Sequence, residues 1–133
     1  MTFINESEIE DVTLDLCKDL GYEIIKGPDI APDAEYPQRD SWSQILLKND
    51  LHQALKKLNP KIPHETITEA IKKLQRLNPN QLVKSNQQFH TYLLEGIPIE
   101  YRKNGNITTD YLKLIDFQQP KNNIYKAINQ FTI

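Results

Sequence analysis

Hydrophobic residues recur at helical spacing near the start of the chain, in a stripe made of Ile9, Val12, Leu16 and Leu20. Asn5 and Glu8 stand three residues apart at the beginning of this pattern, as the two members of a capping box do. We therefore predict a helix over residues 5–20, with Gly21 ending it and a short strand following at 22–25.

Glu10 stands apart from the other acidic residues of this predicted helix. Most of them fall together on the polar face, as expected for a face in contact with solvent. Glu10 instead falls between Leu14 and Cys17, at the edge of the apolar stripe. We expect its carboxylate to be half-buried.

The middle of the chain alternates between broken and periodic segments. Residues 26–41 contain one glycine and three prolines, which predicts an ordered surface loop. From residue 42 the apolar pattern returns up to Leu58, where two short helices or one kinked helix fit equally. Two further helices are predicted around 67–74, ending near Asn78, and around 82–93, ending at Gly96.

After Gly96 the apolar period changes from 3.6 to 2, which is typical of strands. Asn104-Gly105 separates the alternating residues 97–102 from the β-rich stretch 108–117, so a hairpin is predicted. A last strand pattern covers 124–133. The predicted fold is α+β (mixed α/β), a single domain over 1–133 in which the N-terminal helices pack on a largely antiparallel or mixed sheet.

Composition narrows the class of protein. The 133 residues are 38% hydrophobic and 26% charged, with no apolar run long enough to span a membrane and no signal-peptide pattern, so we expect a cytoplasmic protein. A single cysteine excludes an internal disulfide or a thiolate metal cluster within this chain. The net charge of −2 argues against strong direct affinity for nucleic acid.

Isolated chemical groups in the sequence favour structural roles. His52, His64 and His90 are far apart, and Cys17 has no paired base, so we interpret them as surface, boundary or core residues. The basic side chains of two successive helices are interpreted as a solvated face rather than a nucleic-acid patch: Lys56, Lys57, Lys61, Lys72, Lys73 and Arg76. Arg39, alone in the loop, has the chemistry to hold an acid or a phosphate.

The order of landmarks along the chain resembles the N-terminal region of the restriction (R) subunit of type I restriction-modification enzymes. The resemblance covers nearly all of the chain, and each landmark alone is weak. The landmarks are Glu6-Ser7-x-Ile9-Glu10, Leu20-Gly21-Tyr22, the loop with Arg39, Ser43-Gln44-Ile45-Leu46-Leu47, Ala54-Leu55-x-x-Leu58-Asn59-Pro60, Asn86-x-x-Phe89-His90-x-x-Leu93-x-Glu95-Gly96, Leu114-Ile115-Asp116-Phe117 and Asn123-x-Tyr125-x-x-x-Asn129-Gln130-Phe131.

This resemblance implies a nuclease of the PD-(D/E)xK class, incomplete in this chain. In that class an Asp and an acid-x-Lys bind Mg²⁺ beside the scissile phosphate, and in this family they follow the strand that resembles residues 129–131. The chain contains no Asp-x-Lys or Glu-x-Lys, and its nearest approach, Glu100-Tyr101-Arg102, ends in arginine. The resemblance therefore implies that the main catalytic residues lie beyond Ile133 and that this chain alone neither cleaves DNA nor holds a cofactor.

One site residue carries over from the resemblance. Related nucleases often place a glutamate on the first helix, about three turns before a Gly-aromatic pair, to help hold a metal or its water. Glu10 precedes Gly21-Tyr22 by 11 residues and matches this pattern, so it is implied as an auxiliary catalytic and metal-holding group of the complete domain. A structural hydrogen bond of a boundary carboxylate remains an equal alternative, and Asp116 is interpreted as structural.

The resemblance also implies the setting of the parent protein. It would cleave unmodified foreign double-stranded DNA, use Mg²⁺ and ATP, couple cleavage to ATP-driven translocation, and assemble with methyltransferase and specificity subunits. The alternative is a non-catalytic nuclease-like module that docks onto a protein partner. If the sheet is cut at its edge, the chain is expected to self-associate. A nucleic-acid-binding domain is a third hypothesis, and it predicts a steep salt dependence of DNA affinity.

Overall fold

The computed structural model describes residues 3–77 and 79–133, and the chain divides into two compact units. The first unit consists of Met1–Leu47 and Ile124–Ile133, and the second of Lys48–Asn123. Asn78, near which the sequence predicts the end of a helix, lies outside the described residues. The prediction of a single domain stays a prediction, and each unit is described by itself.

The described part of the first unit contains two helices and two strands. In chain order they are α1 at Glu6–Asp19, β1 at Glu23–Lys26, the one-turn α2 at Gly27–Ile30 and, from the end of the chain, β4 at Lys126–Asn129. The predicted capping box of α1 is confirmed: the main-chain nitrogen of Glu8 donates to Asn5 Oδ1 at 2.9 Å, and that of Asn5 donates to Glu8 Oε2 at 3.0 Å. Both N-terminal donors are thereby satisfied without help from tertiary packing.

A parallel pairing of β1 with β4 closes this unit. The register runs from Glu23 opposite Lys126 to Lys26 opposite Asn129, and the main-chain nitrogen of Glu23 donates to the carbonyl of Tyr125 at 2.9 Å. The rings of Tyr22 and Tyr125 meet at the start of the pair, with centroids 5.3 Å apart. The pairing joins segments that are about a hundred residues apart in the sequence.

α1 packs on this strand pair through a different face from the one predicted. Its half-buried side chains are Glu10, Leu14 and Cys17, so the predicted position of Glu10 is confirmed. The predicted apolar stripe is exposed, with exposed fractions of 56% to 78% at Ile9, Val12, Leu16 and Leu20. The apolar stripe is thus not the face of α1 that packs on the strand pair, because a sheet of two strands covers only a narrow part of the helix surface.

The second unit holds the hydrophobic core. Its elements are α3 at Lys48–Leu58, α4 at His64–Gln75, α5 at Leu82–Glu95, β2 at Ile97–Lys103 and β3 at Asn106–Leu112. The buried core residues come from α3, α4, the hairpin and the α3–α4 connection: Leu55, Ile62, Ile67, Ala70, Ile71, Ile97, Ile99 and Leu112. Within the described residues, no helix has both the length and the apolar character needed to cross a membrane.

Two polar features fix the chain path in the second unit. The predicted hairpin is confirmed with a two-residue loop, in which Asn104 and Gly105 both have positive φ, at 53° and 81°. At the end of α3 the buried Asn59 donates to the carbonyl of Lys113 and accepts from its nitrogen, each at 2.8 Å. This amide ties the helix end to the segment that follows β3.

The α+β class is confirmed, but the sheet arrangement and the bounds of two elements differ from the prediction. Among the described residues, parallel and antiparallel strand pairs both occur, as a mixed sheet predicts, but they form two separate two-stranded sheets instead of one. The last strand is limited to Lys126–Asn129 instead of 124–133, and the helix expected from residue 42 begins only at Lys48.

Two leucines with similar helical positions in the sequence are expected to differ in their contribution to the free energy of unfolding. Leu55 is fully buried and Leu16 is 59% exposed, although both lie on helices. Leu55→Ala should lower the free energy of unfolding by about 2–5 kcal/mol, because it leaves a cavity in the core. Leu16→Ala should lower it by less than about 1 kcal/mol. Urea denaturation followed by circular dichroism measures both, and equal losses would contradict this assignment of the core.

Candidate functional site

The structure brings Glu10 together with Gln130, a residue 120 positions away in the sequence. The Nε2 amide nitrogen of Gln130 donates to both carboxylate oxygens of Glu10, at 3.1 Å to Oε1 and 3.0 Å to Oε2. Glu10 is half-buried on α1, and Gln130 directly follows β4. Gln130 is exposed and so are both bonds, and the contact is the structural hydrogen bond that the alternative interpretation of Glu10 predicts.

The main chain around Gln130 is held in an uncommon conformation. Gln130 has a φ of 49°, in the left-handed region that residues other than glycine, asparagine and aspartate rarely adopt. The first residue of α2, Gly27, lies against this turn so closely that a Cβ atom there would collide with the carbonyl oxygens of Asn129 and Gln130. Glycine at position 27 thus permits the close approach that supports the turn carrying the Gln130 amide.

Arg39 stabilises the next residue of the same turn. Its side chain is 2% exposed, its Nε donates to the carbonyl of Gln44 at 2.9 Å, and a terminal nitrogen donates to the carbonyl of Trp42. The guanidinium lies over the ring of Phe131, 3.9 Å from its centroid, in a cation–π contact. The sequence suggested that Arg39 could hold an acid or a phosphate, but the contacts found here serve the folding of the loop and of Phe131.

The carboxylate oxygens of Glu10 are of a type that suits a hard divalent cation. Mg²⁺ binds carboxylate and amide oxygens, and Glu10 supplies a half-buried carboxylate. Asn129, directly before Gln130, has a buried Oδ1 with no hydrogen-bond partner among the described residues. The described part of the chain contains no group of three His, Cys, Asp or Glu side chains arranged to hold a metal. The residues present therefore fit an auxiliary ligand and need further ligands to complete a site.

Two of the three histidines meet, contrary to their separation in sequence. The rings of His52 and His64 lie with centroids 4.1 Å apart at an angle of 41°. His52 is half-buried and its Nε2 has no hydrogen-bond partner among the described residues, whereas His64 and His90 are exposed. The pair is a boundary contact between α3 and α4, which agrees with the structural interpretation.

Three basic side chains of α3 and α4 make hydrogen bonds or an ion pair within their own unit. Lys56 donates to the carbonyl of Ile62 at 2.9 Å, and Lys73 donates to that of Pro98 at 2.8 Å. Lys72 pairs with Glu69 at 3.0 Å. Lys56 and Lys73 thus make structural bonds and Lys72 a surface ion pair, while the interpretation of the whole set as a solvated face stays a prediction.

Asp116 organises the turn between β3 and β4. Its Oδ1 accepts from the main-chain nitrogens of Gln118 and Gln119 at 3.1 and 3.0 Å, and its Oδ2 accepts from Asn122 at 3.1 Å. The side chain of Asn123 bonds both the nitrogen and the carbonyl of Asp116. These contacts give Asp116 the structural role that the sequence predicts. The hydrogen bonds from Gln119 and Asn122 hold the pKa of its carboxyl below the ordinary value of 3.8.

Sequence reasoning missed Gln130 and Gly27 as parts of the site. In the sequence, Gln130 belongs to the last predicted strand and Gly27 to the proline-containing loop predicted over 26–41. No local pattern reveals their roles, because each acts on a segment about a hundred residues distant. The half-buried position of Glu10 on α1 was the one signal available to sequence inspection.

The family and the relatives that match this chain are of the same type. A family described as the type I restriction enzyme R protein N terminus matches residues 3–133. The chain is 32% identical over 130 residues to the type I restriction enzyme HindI endonuclease subunit of Haemophilus influenzae, covering 98% of this chain and 12% of that protein. It is 29% identical over 125 residues to the putative type I restriction enzyme MjaIXP endonuclease subunit of Methanocaldococcus jannaschii, covering 94% of this chain and 12% of that protein. No solved structure matches the chain.

The lowered pKa of Asp116 predicts a pH-dependent contribution to stability. A carboxyl with a depressed pKa in the folded state stabilises the fold above its unfolded pKa and loses that effect as the pH falls through the folded value. The stability difference between the wild type and Asp116→Asn should therefore be largest near neutral pH and shrink below the ordinary value of 3.8. Urea denaturation at a series of pH values measures it, and a difference that stays constant with pH would be inconsistent with the bonded carboxylate.

Proposed function

The chain belongs to the family of type I restriction enzyme R protein N termini, and on this basis we propose that it is part of a subunit that cleaves DNA by Mg²⁺-dependent phosphodiester hydrolysis. The chain spans 12% of the length of the curated relatives it matches, and both are named as endonuclease subunits. The activity proposed for the whole subunit is inferred from the names of these relatives. Within this chain, the observation that supports it most is the half-buried carboxylate of Glu10 held at the end of β4.

Glu10 is proposed as an auxiliary group of the active site. A bound Mg²⁺ would supply charge stabilisation and an activated water for attack on phosphorus. Glu10 offers oxygen ligands of the right type, and its contact with Gln130 keeps the carboxylate in one orientation. The chain contains no acid-x-Lys, and on this proposal the Asp and the acid-x-Lys of the PD-(D/E)xK class would be supplied by other parts of the subunit. On this proposal the 133 residues alone do not cleave DNA.

The remaining expectations about the parent protein belong to the same proposal. They are a cytoplasmic protein that acts on unmodified double-stranded DNA, with ATP-driven translocation and with methyltransferase and specificity subunits as partners. This chain carries no glycine-rich phosphate-binding loop, so ATP binding would reside elsewhere in the subunit. Lys56, Lys72 and Lys73 make contacts within their own unit, and DNA contact through a larger assembly is part of the same proposal.

A docking role is a second candidate, and one observation favours it. The apolar stripe of α1 exposes more than half of each side chain, and exposed apolar patches commonly mark surfaces that bind protein. Self-association of the isolated chain would use the same surface. This candidate predicts no loss of cleavage on substitution of Glu10, so the experiment below separates the two.

The test of the catalytic role compares two neighbouring acids on α1. Glu10→Gln in the full-length subunit, assembled with its partner subunits, should lower Mg²⁺-dependent DNA cleavage by at least about tenfold, because the amide binds a cation poorly. Asp11→Asn is the matched control, since Asp11 is exposed on the next position of the same helix, and it should leave cleavage unchanged.

Two controls make this result specific to the chemistry. ATP hydrolysis by the Glu10→Gln subunit should remain at the wild-type rate, which shows that the assembly and the motor are intact. Wild-type cleavage by Glu10→Gln would refute the proposed role of Glu10 and favour the docking candidate. Loss of ATP hydrolysis together with cleavage would show that the substitution acts on the fold instead.

A further inference from the structure

The geometry of the hydrogen bond between Gln130 and Glu10 affects how a cation can bind the carboxylate. The amide nitrogen is nearly equidistant from the two carboxylate oxygens, at 3.0 and 3.1 Å. Equal distances place the nitrogen between the oxygens, which is the position that a cation takes when a carboxylate chelates it through both oxygens. With the amide in place, each oxygen is still able to bind a cation on its outer side, one oxygen at a time.

Divalent cations differ in how they use carboxylates. Ca²⁺ takes six to eight oxygen ligands in flexible geometry and readily accepts a carboxylate through both oxygens. Mg²⁺ requires a near-octahedral site, keeps several waters, and usually binds through one or two carboxylates. Blocking the chelating position therefore removes a Ca²⁺-type contact and leaves a Mg²⁺-type contact available.

The main-chain position of Gln130 is supported from two sides. Gly27 lies against the carbonyls of Asn129 and Gln130, and the next residue, Phe131, lies under the guanidinium of Arg39. The main chain from which the Gln130 side chain extends is therefore held in place beside Glu10. A cation that chelates Glu10 would have to displace it and break its bonds to a charged group.

We infer that Gln130 determines which divalent cation Glu10 accepts, disfavouring Ca²⁺ relative to Mg²⁺ and Mn²⁺ by occupying the chelating position of the carboxylate. This inference rests on the proposed function, because it assumes that Glu10 faces a metal in the complete domain. Gln130 acts through Glu10 and is a positioning residue.

The test measures cation binding directly, separately from DNA cleavage. Mn²⁺ is titrated into the full-length subunit without ATP, and free Mn²⁺ is followed by electron paramagnetic resonance. Ca²⁺ is then added, and its concentration at half-displacement of Mn²⁺ is recorded. Glu10→Gln identifies the part of the Mn²⁺ binding that depends on this carboxylate, and only that part is compared.

Gln130→Asn is the main variant. Asparagine tolerates the left-handed conformation of residue 130, so the turn is kept, while its shorter side chain withdraws the amide from Glu10. The Ca²⁺ concentration for half-displacement should fall about tenfold, and the Mn²⁺ affinity should change less. Gln130→Met, which removes the amide at similar length, should shift the Ca²⁺ value in the same direction. Gln38→Asn, an exposed glutamine of the same unit, is the matched control and should shift neither value.

The failure of this inference is distinguishable from the failure of the proposed function. If Glu10→Gln removes a Mn²⁺ site but neither Gln130 variant changes the ratio of Ca²⁺ to Mn²⁺ affinity, the selectivity role of Gln130 is overturned and the role of Glu10 stands. If Glu10→Gln leaves all Mn²⁺ binding intact, the metal-holding role of Glu10 fails, and the inference about Gln130 fails with it.

Discussion

The parallel pairing of β1 with β4 is the interaction on which the candidate site depends. It joins residues 23–26 to residues 126–129, so that the end of the chain returns to the helix at its beginning. Forming such a pairing costs the conformational entropy of closing a long loop. The strands are only four residues long, and supporting contacts from Tyr22, Gly27 and Arg39 surround them. Without this pairing, Glu10 would have no partner.

Three contacts at the end of β4 build the candidate site. The close approach of Gly27 supports the left-handed turn at Gln130, the Gln130 amide holds the carboxylate of Glu10, and Arg39 covers Phe131. Residues 129–131 are thus the point at which helix, loop and strand meet. The carboxylate of Glu10 therefore lies beside a turn whose main chain is supported from two sides.

The sequence predicted the parts of the structure that local chemistry decides. The capping box of α1, the Asn104-Gly105 hairpin and the half-buried Glu10 each follow from residues a few positions apart, and all three are confirmed. The partner of Glu10 was not predictable, because it lies 120 residues away and no local pattern encodes a tertiary contact. The same limit explains the exposed stripe of α1: periodicity shows where apolar residues lie, whereas the surroundings decide whether they are covered.

The central claim is that a metal binds beside Glu10 and Gln130 in the complete subunit, and locating the metal tests it most directly. With Fe²⁺ in place of Mg²⁺, peroxide and ascorbate generate hydroxyl radicals at the bound ion, and these cut the nearby polypeptide. We predict cuts around Glu10 and around Gln130 in the wild-type subunit, and their loss in Glu10→Gln. Cuts confined to other parts of the subunit would contradict the claim.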